Sequence, residues 1–269
     1  MFSVLMSVYA KETPLFLKES IQSVFNQSLI PFEVVLVKDG PLTSELNAVV
    51  EDFKNKYPVA MKIVSLKENV GLGKALSLGL LECSNDYVAR MDSDDICDER
   101  RFELQYNFMI EHPEIDIVGT NISEFIDSWD IQVSERIVHE NHEDIIKTMK
   151  YRSDMNHVTV MFKKDAVISS GNYQDFKIED YQLWINMIIN GSKFHNLKEK
   201  LVYVRVGNDM IGRRSGFKYF KLEYKLLKQF YAFKLISIWE FIALSLIKLV
   251  VRSLPKKLLS KFYLAFMRD

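Results

Sequence analysis

The stretch that decides the fold lies at residues 87–95 and reads Y-V-A-R-M-D-S-D-D. Its first part, residues 87–90, has the short apolar pattern of a buried strand. Its second part places three carboxylates within four positions, at Asp92, Asp94 and Asp95. Carboxylates this close raise one another's pKa, so a protein that keeps them ionised must supply a positive partner. The segments before the cluster indicate what kind of sheet carries it.

Short apolar strands and helix-period segments alternate from the N-terminus to this cluster. Such alternation is typical of an α/β protein with a doubly wound, mostly parallel sheet. Ligands of these sheets bind beyond the carboxyl ends of the strands, so Asp39 and residues 92–95 should share one face. The predicted strands span residues 2–8, 32–37, 61–66 and 86–90, and the predicted helices begin near Thr13, Leu42 and Leu72.

Past residue 120 the strands and helices no longer alternate. No repeat, low-complexity tract or long linker divides the chain, so one α/β domain is predicted over residues 1–212, with a helical tail at 213–269. The elements predicted in this second part are strands at 115–120 and 158–162 and helices at 143–150 and 179–190.

Net charge is unevenly distributed along the 269 residues, although it sums to only −1. From Arg213 onward there are 13 lysines and arginines against 3 acidic residues, a surplus of +10, and residues 1–212 carry the balancing −11. A basic tail of this kind indicates contact with an anionic surface. The composition, 48% apolar and 26% charged, is that of a folded protein long enough for a sizeable core.

A reduced, cytosolic setting is expected from the cysteines and the N-terminus. Cys83 and Cys97 form no metal-ligand pattern. The first residues, M-F-S-V-L-M-S-V-Y-A-K, have neither the basic region nor the cleavage site of a signal peptide. The sequence contains no run of 18 uncharged apolar residues, so no ordinary membrane-spanning helix is predicted.

The acidic cluster at residues 92–95 has two interpretations from the residues alone. Aspartates that follow a strand often form caps and turns. Three in four positions favour instead a hard divalent cation, which relieves their repulsion directly. A calcium loop starting at Asp92 is excluded, because Ile96 and Cys97 stand where an oxygen ligand and glycine are required. Mg²⁺ or Mn²⁺, held by one or two carboxylates and by substrate phosphates, fits better.

The stretch N-V-G-L-G-K at residues 69–74 is glycine-rich, but it lacks the spacing of a P-loop or of a dinucleotide fingerprint. It predicts a helix that begins near the ligand face and carries Lys74 in its first turn, where a positive charge suits a diphosphate. An ordinary helix start without a ligand is the alternative.

Acidic residues also begin a later predicted helix, at Glu179 and Asp180. They complement the helix dipole; alternatively, an aspartate held there accepts a hydroxyl proton as a general base.

His157, just before the strand predicted at 158–162, is interpreted as structural rather than catalytic. Arg205 either contacts a phosphate or caps the sheet edge.

Taken together, these features resemble the inverting family 2 glycosyltransferases with the GT-A fold, and especially the small bacterial enzymes of capsule, exopolysaccharide and O-antigen assembly. The resemblance covers about residues 1–205. It implies a Rossmann-like sheet, with a nucleotide-sugar-binding half at 1–120 and a mixed, acceptor-binding half at 121–212. The five matching elements are S-V-L-M-S-V-Y at 3–9, E-V-V-L-V-K-D-G at 33–40, N-V-G-L-G-K-A-L at 69–76, M-D-S-D-D at 91–95 and E-D at 179–180.

The resemblance also implies a role for each matching residue. The donor would be held at its base, its ribose and its diphosphate, and a bound Mn²⁺ or Mg²⁺ would bridge the two phosphates. The matching positions are Ser7 and Tyr9 at the base, Asp39 at the uracil edge, Lys74 at the diphosphate, Asp92 near the ribose, Asp94 on the metal and Asp180 as the catalytic base.

Some positions depart from the family's pattern. K-D-G-P at 38–41 stands where the family often has D-D-G-S, and Y-V-R-V-G at 203–207 lacks a histidine that some relatives place near the metal. No Q-x-x-R-W motif is present, which argues against a processive polymerase. Further candidate site residues are Asp95, Glu179, His157 and Arg205.

The implied function is metal-dependent transfer of a sugar from a UDP-linked donor to a saccharide on a polyprenyl diphosphate lipid, with inversion. One alternative is a nucleotidyltransferase of similar fold, but S-V-Y-A-K at 7–11 does not supply the glycine-rich signature which that class needs. Another alternative is a catalytically silent, membrane-bound assembly subunit.

The tail at 213–269 interleaves basic and apolar residues. We predict an amphipathic anchor on an anionic leaflet, which would keep the enzyme peripherally attached to the inner face of the cytoplasmic membrane. The alternative is a helical extension that packs on the sheet domain or on a second subunit. Nucleic acid is not an expected partner, because no recognition motif accompanies the charge.

Overall fold

Alternating strands and helices build the first part of the protein, as the sequence predicts. The structure, a computed structural model, describes residues 1–207 and 216–254. The elements up to the acidic cluster are β1 (Phe2–Val8), α1 (Pro14–Phe25), β2 (Glu33–Lys38), α2 (Ser44–Lys56), β3 (Met61–Ser65), α3 (Leu72–Glu82) and β4 (Tyr87–Met91).

The second part is irregular, and it ends in two consecutive helices. Those helices, α8 and α9 below, lie in the region predicted to be a helical tail. The elements are β5 (Ile96–Cys97), α4 (Arg101–Glu111), β6 (Ile117–Phe125), β7 (Gln132–Arg136), α5 (His142–Met149), β8 (Met161–Lys163), α6 (Lys164–Ser169), α7 (Glu179–Ile189), β9 (Phe194–Arg205), α8 (Gly216–Ala232) and α9 (Ile238–Ser253).

The strand predicted at residues 158–162 is wrong in its first half. A 3₁₀ turn occupies His157–Thr159, and the strand begins only at Met161. The backbone N–H of Thr159 donates to the carbonyl of Asn156 at 2.8 Å, which closes the turn. The Thr159 hydroxyl meanwhile accepts a bond from the backbone N–H of Thr120 at 2.9 Å, so a side chain takes the place of strand pairing.

Within the described residues the strands form a single nine-stranded sheet. Its order is β3-β2-β1-β4-β8-β6-β9-β5, and β7 pairs with β6. The first four strands are mutually parallel, whereas β8 runs antiparallel to both of its neighbours. The carboxyl ends of β1, β2 and β4 therefore lie at one edge, where the segments that follow them can act on a common ligand.

Two apolar layers cover the faces of the sheet, and successive residues of β1 divide between them. Leu5 belongs to one layer with Leu76 of α3 and Trp184 of α7, whereas Val4 and Met6 belong to the other. Alternate side chains of a strand point to opposite faces, so both faces of β1 are buried. Helices α3, α7 and α8 contribute to the first layer and α1, α2 and α4 to the second.

Helix α3 lies unusually close to the sheet at Gly79. A Cβ on this residue would lie 2.5 Å from Cγ2 of Val37 and 2.6 Å from Cδ1 of Leu5, so any larger side chain would push the helix outward. Glycine inside a helix costs about 0.5–1 kcal/mol relative to alanine. Here it lets the helix rest on β1 and β2, which fixes its first turn, with Lys74, near the strand ends.

Candidate active site

Three carboxylates converge directly after β4, in the segment 92–95 that we call the acidic loop. Oxygens of Asp92, Asp94 and Asp95 all lie within 4.8 Å of one another. Asp95 is buried, with 3% of its surface exposed, and the other two are partly buried. The sequence predicts this grouping, and the structure brings the three together at the ligand edge of the sheet.

A buried arginine neutralises the first of these carboxylates. Arg90, 2% exposed, donates from Nη1 to Oδ2 of Asp92 at 2.6 Å and from Nη2 to the other carboxylate oxygen. Burial opposes the charge of the guanidinium, but the adjacent carboxylate outweighs this, and the pKa of Arg90 is raised. Residues i and i+2 of a strand share a face, which is the sequence signal that pairs Arg90 with Asp92. This pair was not predicted from the sequence.

The other two carboxylates have no comparable cation. Burial, reinforced by the charges of Asp92 and Glu12, raises the pKa of Asp94 to about 7. Burial and the two neighbouring aspartates raise the pKa of Asp95 well above its usual value. Neither carboxylate forms an ion pair with a lysine or arginine side chain in the described parts of the chain. Their oxygens are the ligand type that Mg²⁺ and Mn²⁺ prefer, so the chemistry of the loop fits a hard divalent cation.

Arg205 supports the acidic loop from the end of β9. Its backbone N–H donates to Oδ1 of Asp95 at 2.8 Å, and its Nε donates to the carbonyl of Asp94 at 3.1 Å. The guanidinium also pairs with Glu19 at 2.7 Å and lies over the ring of Phe16, 3.8 Å from its centroid. These contacts favour the second predicted interpretation of Arg205, at the sheet edge, because they occupy the guanidinium with loop and helix groups.

Asp39 joins the end of β2 to the start of α3. Its carboxylate accepts bonds from the backbone N–H of Val70 at 2.7 Å, from that of Gly71 at 3.2 Å and from the side chain of Asn69 at 3.0 Å. Gly40 makes this approach possible, since its φ is +86° and a Cβ there would lie 2.6 Å from the N of Asn69. The predicted base-binding aspartate therefore also fixes the glycine-rich turn.

The predicted base-contacting residues of β1 lie beside this turn. Ser7 is the penultimate residue of the strand and pairs in register with Val37, while Tyr9 follows the strand and is 44% exposed. The backbone N–H of Asp39 donates to the carbonyl of Val8 at 2.8 Å, so the two strand ends meet. The side chain of Tyr9 is therefore exposed directly after β1, where the ends of β1 and β2 meet.

The start of α3 also touches the segment before α7. A Cβ on Gly73 would lie 2.3 Å from the carbonyl oxygen of Gln174 and 3.0 Å from Cβ of Glu179. Lys74 is the next residue and is exposed. The two stretches predicted to handle the diphosphate and the acceptor proton are therefore in direct contact, which the sequence did not indicate.

Glu179 and Asp180 form the first turn of α7, as predicted. Burial, and next to it the charge of Asp180, raises the pKa of Glu179 to about 7. The charges of Arg90 and Asp92 also act on Glu179, which places the start of α7 close to the acidic loop. A carboxyl group with a raised pKa in a partly buried place is a candidate for proton transfer.

His157 is partly buried beside Tyr173 and Trp184. Its Nε2 is 2.9 Å from the hydroxyl of Tyr173, and its ring meets Trp184 edge-on, with 5.7 Å between centroids. Burial, assisted by the charge of Arg90, lowers the pKa of His157 well below its usual value. A neutral, hydrogen-bonded and packed imidazole agrees with the structural interpretation of this residue.

The raised pKa of Glu179 predicts a pH-dependent stability. The value is 4.5 in an ordinary glutamate and about 7 in the folded protein. The contribution of this group to stability is therefore fully present below its unfolded pKa and is lost as the pH rises through about 7. Glu179→Gln should exceed wild type in unfolding free energy by roughly 1–3 kcal/mol at about pH 8, and the gain should shrink toward about pH 5.

Denaturant unfolding at both pH values measures this difference. Glu68→Gln is the matched control, because it removes one negative charge at an exposed position for which no such gain is expected. A gain of equal size at both pH values would contradict a raised pKa at Glu179.

A comparison with protein families finds a match over most of the chain. The family described as Glycosyl transferase family 2 matches residues 3–220. Amylovoran biosynthesis glycosyltransferase AmsE of Erwinia amylovora is 39% identical, over 98% of this chain and 98% of its own. The UDP-Gal:alpha-D-GlcNAc-diphosphoundecaprenol beta-1,3-galactosyltransferase of Escherichia coli is 37% identical, over 94% of this chain and 92% of its own.

Solved structures share the fold at lower identity. TarS 1-349 of S. aureus in complex with UDP-GlcNAc aligns with a TM-score of 0.65 and 17% identity, over 98% of this chain and 73% of that one. Mannosyltransferase PcManGT from Pyrobaculum calidifontis, in complex with GDP-Man and Mn²⁺, aligns with a TM-score of 0.63 and 15% identity. The alignment covers 99% of this chain and 81% of that one. At these identities the likeness concerns the fold, and it confirms the predicted GT-A architecture.

Proposed function

The chain belongs to glycosyltransferase family 2, and from that membership we propose that it transfers a sugar from a UDP-linked donor to a hydroxyl of a lipid-linked saccharide, with inversion. The transfer is a step of bacterial polysaccharide biosynthesis, as in its relatives. The observation that carries the proposal is the acidic loop at the carboxyl end of β4, in which Asp94 and Asp95 pair with no lysine or arginine side chain of the described residues. A diphosphate donor that arrives with a divalent cation completes such a site.

The donor is held at the ends of β1 and β2 and at the start of α3. The exposed ring of Tyr9 and the hydroxyl of Ser7 contact the base, and Asp39 accepts a bond from the uracil edge. Oδ2 of Asp39 already accepts two bonds from the turn before α3, but Oδ1 accepts only one and keeps a lone pair for a further donor. Lys74, exposed in the first turn of α3, attracts the diphosphate. UDP as the nucleotide is supported by the name of the Escherichia coli relative.

Asp94 is the residue best suited to hold Mn²⁺ or Mg²⁺, with Asp95 beside it. Both oxygens of Asp92 are engaged by Arg90, which suits Asp92 to the ribose side rather than to the metal. A cation bound there would offset the negative charge that develops on the leaving diphosphate. Mn²⁺ is present in the PcManGT complex, which has the same fold.

Asp180 removes the proton from the acceptor hydroxyl. The hydroxyl oxygen then attacks the anomeric carbon from the face opposite the diphosphate, the bond to the phosphate oxygen breaks, and UDP departs. The proton remains on the carboxyl group of Asp180 until solvent takes it. Attack from the opposite face inverts the configuration, so an α-linked donor yields a β-linkage.

The acceptor is a saccharide carried on a polyprenyl diphosphate lipid. The name of the Escherichia coli relative, which specifies a diphosphoundecaprenol acceptor and a β-1,3 product, supports both this acceptor and inversion. An enzyme with such an acceptor works at a membrane surface, and we place this one peripherally at the inner face of the cytoplasmic membrane, attached through the tail at 213–269. Within the described parts of the chain, no helix is long and apolar enough to cross a membrane.

Turnover with a panel of nucleotide sugars tests the proposal. Purified protein with Mn²⁺ receives UDP- and GDP-sugars in turn, together with a GlcNAc-diphosphate-lipid acceptor. We expect acceptor-dependent release of UDP from one UDP-sugar, and a β-anomeric proton in the product by NMR. Preference for a GDP-sugar would refute the donor assignment, and an α-linked product would refute inversion. Binding of neither UDP nor Mn²⁺ would favour the silent assembly subunit, while the family match already speaks against a nucleotidyltransferase.

A further inference from the structure

Helix α9 has one buried side and one exposed side, and the exposed side is apolar. Trp239 is 78% exposed and Val250 is 62% exposed, and the residues between them on this side are also apolar. Spacings of three and four residues put them on one stripe of the helix. Exposed single apolar residues are ordinary, but a stripe along a whole helix marks an interaction surface. The apolar face, as we call it, comprises Trp239, Ile242, Leu246, Ile247 and Val250.

Helix α8 has a basic exposed side. Its four lysines follow one another at spacings of three, four and three residues, so they lie on one face, and all are exposed. The opposite side of α8 is buried in the core through Leu226, Leu227 and Phe230. Both helices therefore turn their buried sides toward the body of the protein and their remaining sides outward. The lysine face, as we call it, comprises Lys218, Lys221, Lys225 and Lys228.

Polar contacts hold the two helices together as a hairpin. Glu223 of α8, 6% exposed, accepts bonds from Arg252 of α9 at 2.7 and 2.9 Å and from Lys248 at 2.9 Å. Glu240 pairs with Lys150 of the main domain at 2.6 Å, and it completes a capping box with Ser237 at the start of α9. The apolar face is thus presented by a docked helix, so its exposure is a built feature of the surface.

We propose that the outer side of this hairpin is a membrane-binding surface: the apolar face of α9 enters the interfacial region of an anionic bilayer, and the lysine face of α8 contacts lipid phosphates. This inference rests on the proposed function, because it identifies the part of the tail that holds the enzyme beside its lipid-linked acceptor. A helix with one apolar side, a polar opposite side and basic neighbours lies in the plane of the interface. Tryptophan at one end of the stripe suits the headgroup level.

Charge favours a lipid surface over a second copy of the chain. In a two-fold dimer through this face, the lysine faces of the two copies would lie near each other and repel. An anionic leaflet instead attracts each lysine near its surface. The residues from 213 onward carry a surplus of +10, so the charge of the whole segment has the sign that such a leaflet attracts.

Sedimentation with vesicles tests the proposal on the full chain. Wild type should bind vesicles of equal parts phosphatidylglycerol and phosphatidylcholine, and should bind phosphatidylcholine alone much more weakly. The double variant Leu246→Glu and Ile247→Glu should lose at least about tenfold in affinity for the mixed vesicles, because two apolar side chains no longer enter the interface. Lys218→Gln with Lys225→Gln should lower binding to the mixed vesicles and weaken its salt dependence.

The matched control is Val59→Glu with Ile110→Glu, which adds the same charge at exposed apolar residues of the main domain. It should bind vesicles as wild type does, and the thermal midpoint of each variant verifies folding. Equal vesicle binding by wild type and the α9 variant would overturn the proposal. So would a wild-type dimer, seen by light scattering, that the α9 variant dissociates.

Vesicle binding and sugar transfer test the membrane-binding surface and the proposed function separately. Transfer to a water-soluble acceptor analogue should be unchanged in the α9 variant, because Leu246 and Ile247 are exposed side chains that belong to neither the acidic loop nor α7. Vesicle binding that follows the expected pattern in a protein without transferase activity would refute the proposed function and leave the membrane-binding surface standing.

Discussion

Asp180→Asn should abolish sugar transfer while leaving UDP binding intact. The asparagine side chain has nearly the shape of aspartate but cannot take the proton of the acceptor hydroxyl. General base catalysis contributes about 10²- to 10⁴-fold, so kcat should fall by at least that lower limit. Donor binding should persist, because the proposed donor contacts belong to β1, β2, α3 and the acidic loop. Initial rates of UDP release and calorimetric titration with UDP and Mn²⁺ measure the two properties separately.

The control for this variant is Asp175→Asn, a change of the same charge at an exposed residue just before α7. It should keep wild-type rates. Wild-type turnover in Asp180→Asn would remove Asp180 from the mechanism, and Glu179, its neighbour in the first turn of α7, would be the next candidate base. Loss of both turnover and UDP binding would indicate a structural role instead.

Asp92→Asn and Asp94→Asn should change stability in opposite directions. Removal of the Asp92 charge leaves the guanidinium of Arg90 buried without its counter-charge, and breaking a buried pair in this way is strongly destabilising. Because Asp92 is partly exposed, we expect a loss of about 2–4 kcal/mol. Removal of the Asp94 charge breaks no ion pair and relieves repulsion from Asp92 and Glu12, so unfolding free energy should equal or exceed that of wild type.

Both variants should lose donor binding, although for different reasons. Asp94→Asn removes the proposed metal ligand, and its affinity for UDP with Mn²⁺ should fall by at least about 10- to 100-fold. Asp92→Asn removes the ribose-side carboxylate and disturbs the loop through Arg90. Denaturant unfolding of the two variants measures the stability difference, and titration with UDP and Mn²⁺ measures the loss of donor binding. A destabilised Asp94→Asn would contradict the expected relief of repulsion from Asp92 and Glu12.

The sequence predicts the first half of the fold because the apolar runs of the strands and the helical spacing of apolar residues are both clear there. Strands such as Phe2–Val8 are mostly apolar runs bounded by turn residues, and α3 repeats its apolar residues at helical spacing. The run after His157 fails as a strand prediction because its β-branched residues favour a strand in isolation. The hydroxyl of Thr159 instead bonds to Thr120, which lies 39 positions away in the chain. Local propensity carries no information about such a partner.

Some features of the candidate site are predictable from local sequence, and others depend on tertiary packing. The acidic loop and the start of α7 are predictable because acidic residues cluster there, at the end of a predicted strand and at the beginning of a predicted helix. The pairing of Arg90 with Asp92 is also local, two residues apart, but a single basic residue at the end of an apolar run gives little reason to look for it. The contact of Gly73 with Gln174 arises only from the way α3 and α7 pack, so no spacing in the chain encodes it.

Arg205 has a consequence for the order in which the protein assembles. It stabilises the acidic loop from 110 positions further along the chain, and its partner Glu19 lies 186 positions before it. Contacts between such distant segments form late, because closing long loops is entropically unfavourable. During synthesis, the first four strands can pair before β9 has left the ribosome. The acidic loop acquires the support of Arg205 only when β9 docks, so the proposed donor site is completed late in folding.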